Sequence, residues 1–229
     1  MNGEGIDLSL IACANELKSP LILVRQLTFE LEKTNDIKRR EEIYAQIRTV
    51  TERSLRLADN LTKAARLEEA MFEFEPVQIV GLCHEVINEL KTNKSKIIIR
   101  STQKSPVCVG NRDLLKSLLM GLVDNALQYS GEKDKIYITT RIRNQSIELL
   151  VRDEGPLVNL KNFRNLKENL GRHSSPLTAR PLTSSLGIAL SEKFINTMNG
   201  KLSISQHQSG GITFRAILPT SKQMSLLEI

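Results

Sequence analysis

The sequence predicts an α+β protein in which a long antiparallel helical hairpin precedes an α/β sandwich. Two patterns predict this division. Over the first third of the chain, apolar residues recur at alternating steps of four and three, the spacing of a helix packed in a bundle. After Pro76, shorter helical segments alternate with strand-like ones, and turn-forming residues separate them.

The first predicted helix carries its apolar seam at Leu10, Ala14, Leu17, Leu21, Val24, Thr28 and Leu31. Asn15 and Glu16 lie beside this seam, so we expect position 15 on a flank that solvent can reach. Pro20 falls inside the apolar pattern and predicts a kink one turn beyond position 15.

A turn at residues 34–36 separates this helix from a second one. The second seam is formed by Ile43, Ile47, Val50, Ser54, Leu57, Leu61 and Ala64. A lone hairpin of two such long helices cannot bury both of its faces, so we expect a homodimer that forms a four-helix bundle. Packing against another part of the same chain is the alternative.

The rest of the chain predicts helices over 77–90, 111–129 and 183–198, and strands over 96–100, 107–109, 135–143, 146–152, 201–206 and 212–218. Asn144-Gln145 and Ser209-Gly210-Gly211 are expected to turn two hairpins. Residues 171–185 are rich in Ser, Thr, Pro and Arg and predict a mobile loop. The predicted domains are a hairpin at 1–72, a sandwich at 73–222 and a tail at 223–229.

Composition restricts the possible partners only loosely. The 229 residues carry a net charge of +6, which allows anionic partners without selecting one, because acidic and basic residues alternate along much of the chain. Aromatic residues make up only 4% and no recognition motif is present, so we do not expect nucleic-acid binding.

The three cysteines, Cys13, Cys83 and Cys108, are not clustered, which favours a reducing, cytoplasmic compartment. Cys83 and His84 are adjacent but lack the spacing of zinc ligands. The chain shows no signal peptide and no apolar run of bilayer length. We therefore expect either a soluble protein or the cytoplasmic piece of a longer one.

The first helix contains the stretch Asn15-Glu16-Leu17-Lys18-Ser19-Pro20-Leu21. It resembles the phosphoacceptor motif of sensor histidine kinases, His-Glu-Leu-(Lys/Arg)-(Thr/Ser)-Pro-Leu, with Asn15 in place of the acceptor histidine. An imidazole nitrogen can attack phosphorus, whereas an amide nitrogen is delocalised into its carbonyl, so autophosphorylation at this position is not expected. The resemblance implies that Glu16 assists phosphoryl transfer and that Ser19 orients water for dephosphorylation of a receiver domain.

The helix over 111–129 ends in Leu122-Val123-Asp124-Asn125-Ala126-Leu127-Gln128-Tyr129-Ser130. This stretch resembles the Asn box of the histidine-kinase ATP-binding domain, a fold shared with Hsp90 chaperones, gyrases and MutL proteins. The resemblance implies that Asn125 holds the Mg²⁺ of bound ATP through its amide oxygen, a hard ligand, and that Tyr129 belongs to the nucleotide site. Two positions depart from the family pattern: Gly121 replaces a second Asn, and Gln128 replaces a common phosphate-facing Lys.

Two further stretches, Asp153-Glu154-Gly155-Pro156-Leu157 and Ser184-Ser185-Leu186-Gly187-Ile188-Ala189-Leu190, resemble the glycine boxes of the same domain. The resemblance implies that Asp153 accepts a hydrogen bond from the adenine amino group and that Gly155 lets the backbone pass close to the base. It also implies that Gly187 precedes a helix whose amides bind phosphate. Leu157 and Ser185 replace glycines of the family pattern.

The region between the two glycine boxes resembles the lid that closes over ATP. Its basic residues, which face either phosphates or solvent, are Lys161, Arg164, Lys167, Arg172, His173 and Arg180.

Three functions remain open at this point. The first is a dimeric histidine-kinase-like scaffold or regulator that binds ATP and Mg²⁺, and whose partner is a response-regulator receiver domain or another kinase. The second is an active sensor kinase or receiver phosphatase, including the case in which Asn15 is an engineered replacement. A nucleic-acid-binding module, suggested by charge alone, ranks last.

Overall fold

The computed structural model describes residues 4–67, 72–90, 96–102, 106–168, 170 and 185–220, with the backbone alone at 4–12 and 185. The chain forms two compact units, Met1–Arg66 and Leu67–Ile229. The sequence prediction placed this division slightly later, between residues 72 and 73. Residues 171–184 of the loop predicted at 171–185 and the predicted tail at 223–229 lie outside the described residues, and residue 185 belongs to a helix.

The first unit consists of two helices, α1 at Glu4–Lys33 and α2 at Ile37–Arg66. The connection at residues 34–36 confirms the predicted turn and makes the helices antiparallel. Arg39 donates to Glu30 Oε1 at 2.6 and 2.8 Å, and Arg40 donates to the carbonyls of Leu31 and Thr34 at 2.9 and 3.1 Å. The two Arg40 bonds satisfy backbone carbonyl groups at and just after the end of α1, where intrahelical partners are missing.

The side of α1 that packs in the hairpin differs from the predicted seam at every second position. The buried and half-buried apolar residues are Cys13, Leu17, Pro20, Val24, Leu27 and Leu31. Ala14, Leu21 and Thr28, which the prediction placed in the seam, are exposed within the single hairpin. Helix α1 carries apolar residues in two phases one residue apart, and because steps of four and three fit both, the spacing did not identify the phase that packs against α2.

The predicted α2 seam is confirmed, because all seven of its residues are buried or half-buried. Pro20 lies inside α1, and the helix continues through it to Lys33.

The second unit alternates helices and strands, which confirms the α+β class. Its helices are α3 at Ile79–Glu89, α4 at Arg112–Tyr129, α5 at Leu160–Glu168 and α6 at Ser185–Thr197. Its strands are β1 at Glu75–Gln78, β2 at Ile97–Ser101, β3 at Val107–Gly110, β4 at Ile136–Arg143, β5 at Ser146–Arg152, β6 at Lys201–Gln206 and β7 at Ile212–Pro219.

The described strands form two sheets. A five-stranded sheet has the order β2-β4-β5-β7-β6, in which only β2 and β4 run parallel, and β1 pairs with β3 in a separate antiparallel pair. The predicted helix over 77–90 was wrong at its start, since Val77 and Gln78 belong to β1 and pair with Cys108 and Val107. Helix α5 was not predicted.

The core of the second unit lies between the five-stranded sheet and helices α3, α4 and α6. Alternate strand residues such as Ile138, Val151 and Phe214 are buried, and so is Phe194 of α6.

Asn144 and Gln145 connect β4 to β5. Their φ values are 49° and 59°, so the predicted two-residue hairpin turn is confirmed.

Candidate nucleotide-binding site

Asp153 directly follows β5 and is almost completely buried. Its Oδ1 accepts hydrogen bonds from the backbone amides of Gly155 at 3.0 Å and Ile212 at 3.2 Å. Its own amide donates to the Ile212 carbonyl at 3.1 Å. Amide donors to a carboxylate are strong hydrogen bonds, so the loop after β5 and the start of β7 together fix this side chain.

Gly155 lies against the end of α4. A Cβ atom at Gly155 would come within 2.7 Å of the Tyr129 carbonyl oxygen and 2.9 Å of Asp153 Oδ1. No side chain fits there, so glycine is what permits this approach. The structure therefore brings together three of the predicted site residues, Tyr129, Asp153 and Gly155.

Gly211 is a member of this cluster that the sequence reasoning missed. Its φ is +81°, and a Cβ atom there would collide with the Asp153 carbonyl oxygen. The consecutive glycines at 210 and 211 were interpreted only as a hairpin turn. Their second role is close packing against the loop that carries Asp153. This role depends on the fold, and no local sequence pattern indicates it.

One face of α4 carries Gly121, Asn125 and Gln128, at steps of four and three. Asn125 is buried, and Gln128 holds a buried amide oxygen that has no hydrogen-bond partner in the described part of the chain. A Cβ atom at Gly121 would lie 3.3 Å from Ser191 Oγ of α6. Helix α6 thus occupies space that a longer side chain at position 121 would need.

Gly187 lies in the first turn of α6 as described, so the prediction that it precedes the helix was wrong. Ser185 and Leu186, which precede Gly187, are already helical. The Gly187 carbonyl accepts a bond from Ser191 Oγ at 2.9 Å. The first turn of a helix remains the place where anions are bound, because its amides point outward along the axis.

The residues of the stretch that resembles an acceptor motif lie on α1 in the first unit. Asn15 and Ser19 are exposed and Glu16 is half-buried, so position 15 faces solvent as predicted. Ser19 Oγ donates to the Asn15 carbonyl at 3.3 Å, which places the hydroxyl one turn along the same side of the helix.

Of the predicted lid residues, Lys161, Arg164 and Lys167 are exposed on or beside one side of α5. Leu157, which stands in place of a family glycine, is 63% exposed. Arg172, His173 and Arg180 lie outside the described residues, so the predicted lid is only partly described.

Two cysteine thiols of the second unit are poor candidates for nucleophiles. Burial raises the pKa of Cys83 and of Cys108 to about 12, so neither ionises near neutral pH. Within the described residues, no group of three or more His, Cys, Asp and Glu side chains could hold a metal ion. His84, beside Cys83, is exposed.

Comparison with known proteins agrees with this geometry. Residues 110–222 match the family of histidine kinase-, DNA gyrase B- and HSP90-like ATPases. The sensor protein kinase PmrB of Pseudomonas aeruginosa is 28% identical over 214 residues, which cover 91% of this chain and 44% of PmrB. The sensor protein CutS of Streptomyces coelicolor is 24% identical over 210 residues, covering 90% of this chain and 51% of CutS.

These findings support a histidine-kinase core. The histidine kinase ThkA, solved in complex with the response regulator protein TrrA, shares the fold over 92% of this chain and 60% of its own, at a TM-score of 0.63 and 22% identity. The kinase-like core spans about half the length of the curated relatives it matches. No helix within the described ranges is long and apolar enough to cross a bilayer.

Proposed function

We propose that this chain is a dimeric histidine-kinase-like signalling protein that binds ATP with Mg²⁺ but does not phosphorylate itself at position 15. The observation that carries the proposal is the contrast between a nucleotide site whose Asp153, Gly155 and Tyr129 come together and an acceptor position occupied by Asn15. The protein acts in this view as a scaffold or regulator of two-component signalling.

The residues of α4 fit a nucleotide with its cation. Asn125 and Gln128 offer amide oxygens on one helix face, and the Gln128 oxygen is buried without a hydrogen-bond partner among the described residues. Such an oxygen gains stability from a donor or a cation. Mg²⁺ would neutralise phosphate charge, and Asn125 would be its protein ligand. The Asp153 carboxylate would accept a hydrogen bond from the adenine amino group.

The loss of charge at Gln128 and the loss of a second amide at Gly121 both weaken contacts to phosphate. Neither change touches Asp153, whose position depends on backbone amides. We therefore expect adenine recognition to be retained better than phosphate binding.

Homodimerisation follows from the apolar surface of the hairpin. Leu21 is 65% exposed on α1, and Ile37, Tyr44 and Leu55 are 73%, 54% and 62% exposed on α2. A second copy that covers these side chains would complete a four-helix bundle. The proposed partners beyond this copy are a response-regulator receiver domain or another kinase.

A receiver phosphatase is the second candidate function. Glu16 and Ser19 remain beside position 15, and the Ser19 hydroxyl lies one turn from it on an exposed side of α1. Dephosphorylation of a phospho-aspartyl receiver needs a positioned water more than it needs an acceptor histidine. Ser19→Ala should then abolish the acceleration of receiver dephosphorylation, and no acceleration by the native chain with its true partner would refute this candidate.

Calorimetric titration of the full chain with ATP, with and without Mg²⁺, tests nucleotide binding. We expect binding that is tighter with Mg²⁺ and that loses this dependence in Asn125→Ala. A control, Asn111→Ala, removes an amide at the N-cap of the same helix and should leave the Mg²⁺ dependence unchanged. Absence of binding at millimolar ATP would refute the proposal.

A further inference from the structure

The five-stranded sheet has one face covered by helices and one face that the described helices leave open. The covered face carries the buried row Ile138, Val151 and Phe214. Because successive side chains of a strand point to opposite faces, the open face carries the residues between them. One of its rows pairs Tyr137 with Arg152.

This open face is strongly basic. Its cationic residues are Arg100, Arg141, Arg143, Arg152, Lys201 and Arg215. The five strands contain one carboxylate, Glu148, which is buried and bonded to Arg141 Nε at 2.6 Å. Six cations less one carboxylate leave a net charge of +5 on this face, spread over a sheet about 19 Å wide.

Most of these cations have no carboxylate to pair with. Within the described ranges, Arg141 is the only one of the six with an ion pair. Arg152 has a buried Nε that lacks a hydrogen-bond partner among the described residues. A partner's carboxylate would therefore have no hydrogen bond at this nitrogen to displace when it approaches the guanidinium group.

Arg152 and Arg215 are diagonal neighbours on the middle strand β5 and on β7, near the end at which β5 leaves the sheet. Arg215 pairs with Leu150, and Arg152 pairs with Thr213, on adjacent strands. Each guanidinium group is planar and can donate two parallel hydrogen bonds to one carboxylate. The two arginines therefore suit a partner that presents carboxylate groups.

We propose that this basic sheet face, defined by the six cations above, is a docking surface for an acidic protein partner, with Arg152 and Arg215 as its main contacts. The proposal does not rest on nucleotide binding, since none of these six residues belongs to the nucleotide site. The partner's surface presents Asp or Glu side chains toward these two arginines.

The composition of the face favours a protein over other polyanions. Five of its six cations are arginines, which are enriched in protein interfaces whereas lysines are depleted. Half-buried Leu150 and Ile217 lie between them and offer apolar contact. Binding to a lipid surface depends on the number of charges and does not need arginine geometry.

Nucleic acid fits the face less well than an acidic protein does. Tyr137 is the aromatic residue of these five strands on this face, and the Arg100 guanidinium covers its ring at 4.4 Å from the centroid. Bases of a single strand bind by stacking on open aromatic rings, which this face does not offer within the described residues.

Fluorescence anisotropy of the full chain with labelled poly-L-glutamate tests the proposal, at low and at physiological ionic strength. Arg152→Gln with Arg215→Gln should weaken binding about tenfold or more, the effect expected for lost charge-assisted bonds. The control, Lys38→Gln with Lys133→Gln, removes the same charge from exposed positions outside the face and should change binding less than about twofold.

A second variant, Arg100→Gln with Lys201→Gln, changes two exposed residues of the face and should leave the fold intact. This variant should also weaken the binding of poly-L-glutamate. Duplex DNA and phosphatidylglycerol vesicles are titrated in parallel. Equal weakening in the control, tighter binding of DNA or vesicles with the same arginine dependence, or no binding of poly-L-glutamate would each overturn the assignment.

Discussion

The two units bury their apolar residues in very different proportions. Among the described side chains of the first unit, the buried apolar ones are Leu27, Ile43 and Ala64, while seven large ones are exposed: Leu21, Ile22, Leu23, Phe29, Ile37, Tyr44 and Leu55. The described part of the second unit exposes three, Phe74, Leu157 and Leu160. The described part of the second unit therefore covers most of its own apolar residues, whereas the hairpin leaves an apolar surface of the kind that marks interaction sites.

The chemistry divides along the same line. The second unit keeps Asp153 and Asn125 in buried positions, whereas the hairpin presents Asn15, which we propose stands in place of an acceptor, in an exposed one. The comparison teaches that position 15 can change without disturbing the fold, because its side chain is exposed and supports no packing.

The largest effect should come from the core of the second unit. Phe214→Ala is expected to lower the free energy of unfolding by about 3–5 kcal/mol, through lost burial and a residual cavity. Phe74→Ala, at a phenylalanine that is 41% exposed in the same unit, should cost clearly less. Urea unfolding followed by circular dichroism measures both variants. Equal losses would contradict the proposed difference in burial.

Exposed leucines should matter for association rather than for folding. Leu21→Lys is expected to weaken dimerisation by about 1.5–3 kcal/mol, the free energy of burying one leucine. Leu157→Lys, at a leucine equally exposed in the second unit, serves as the control. Sedimentation equilibrium measures the dimerisation constant of both variants and of the native chain. A native chain that stays monomeric at all concentrations would contradict the proposal that a second copy covers the hairpin.

Asp153→Asn should weaken ATP binding by about 1–3 kcal/mol, because a buried polar partner is left unsatisfied. The adjacent Glu154→Gln is the control, since Glu154 is exposed and accepts its hydrogen bond from the Lys135 amide. Calorimetric titration with ATP measures both. Unchanged affinity in Asp153→Asn would show that the adenine site is assigned to the wrong residue.

The smallest effect concerns His207, which contacts Thr213 Oγ1 at 2.7 Å. Desolvation and the charge of Arg152 lower the pKa of His207, while Asp153 opposes the shift. A lowered pKa means that the folded state prefers the neutral ring. Stability is therefore full above the unfolded pKa, about 6.5, and falls as pH drops below it.

His207→Gln should remove this part of the pH dependence. The midpoint of urea unfolding, measured from about pH 7 down to about pH 5, should fall less steeply in the variant than in the native chain. Identical slopes would show that His207 titrates alike in both states.

Features with a local cause were predictable from the sequence. The turn at Asn144 and Gln145 follows from a polar pair between two alternating strands. The position of Asp153 at a strand end follows from the pattern that precedes it. The kinase-like order of the motifs came from resemblance, and the matched family covers the part of the chain that contains Asn125, Asp153 and Gly187.

Features that depend on distant partners were not predictable. Val77 and Gln78 form a strand because β3 pairs with them, and their own sequence continues smoothly into α3. The phase of α1 is decided by α2, since two apolar stripes fit the same spacing. Gly211 supports Asp153 across 58 residues of sequence, a contact that only the closed sheet creates.

The most direct test of the account is phosphorylation by radiolabelled ATP, with the native chain beside Asn15→His. The account predicts no acid-labile label on the native chain and a clear label on the variant, because in this account the nucleotide unit still binds ATP with Mg²⁺, despite Gly121 and Gln128, while the acceptor is missing. A native chain labelled as strongly as the variant would contradict the loss of the acceptor. A variant without label would contradict the competence of the nucleotide unit.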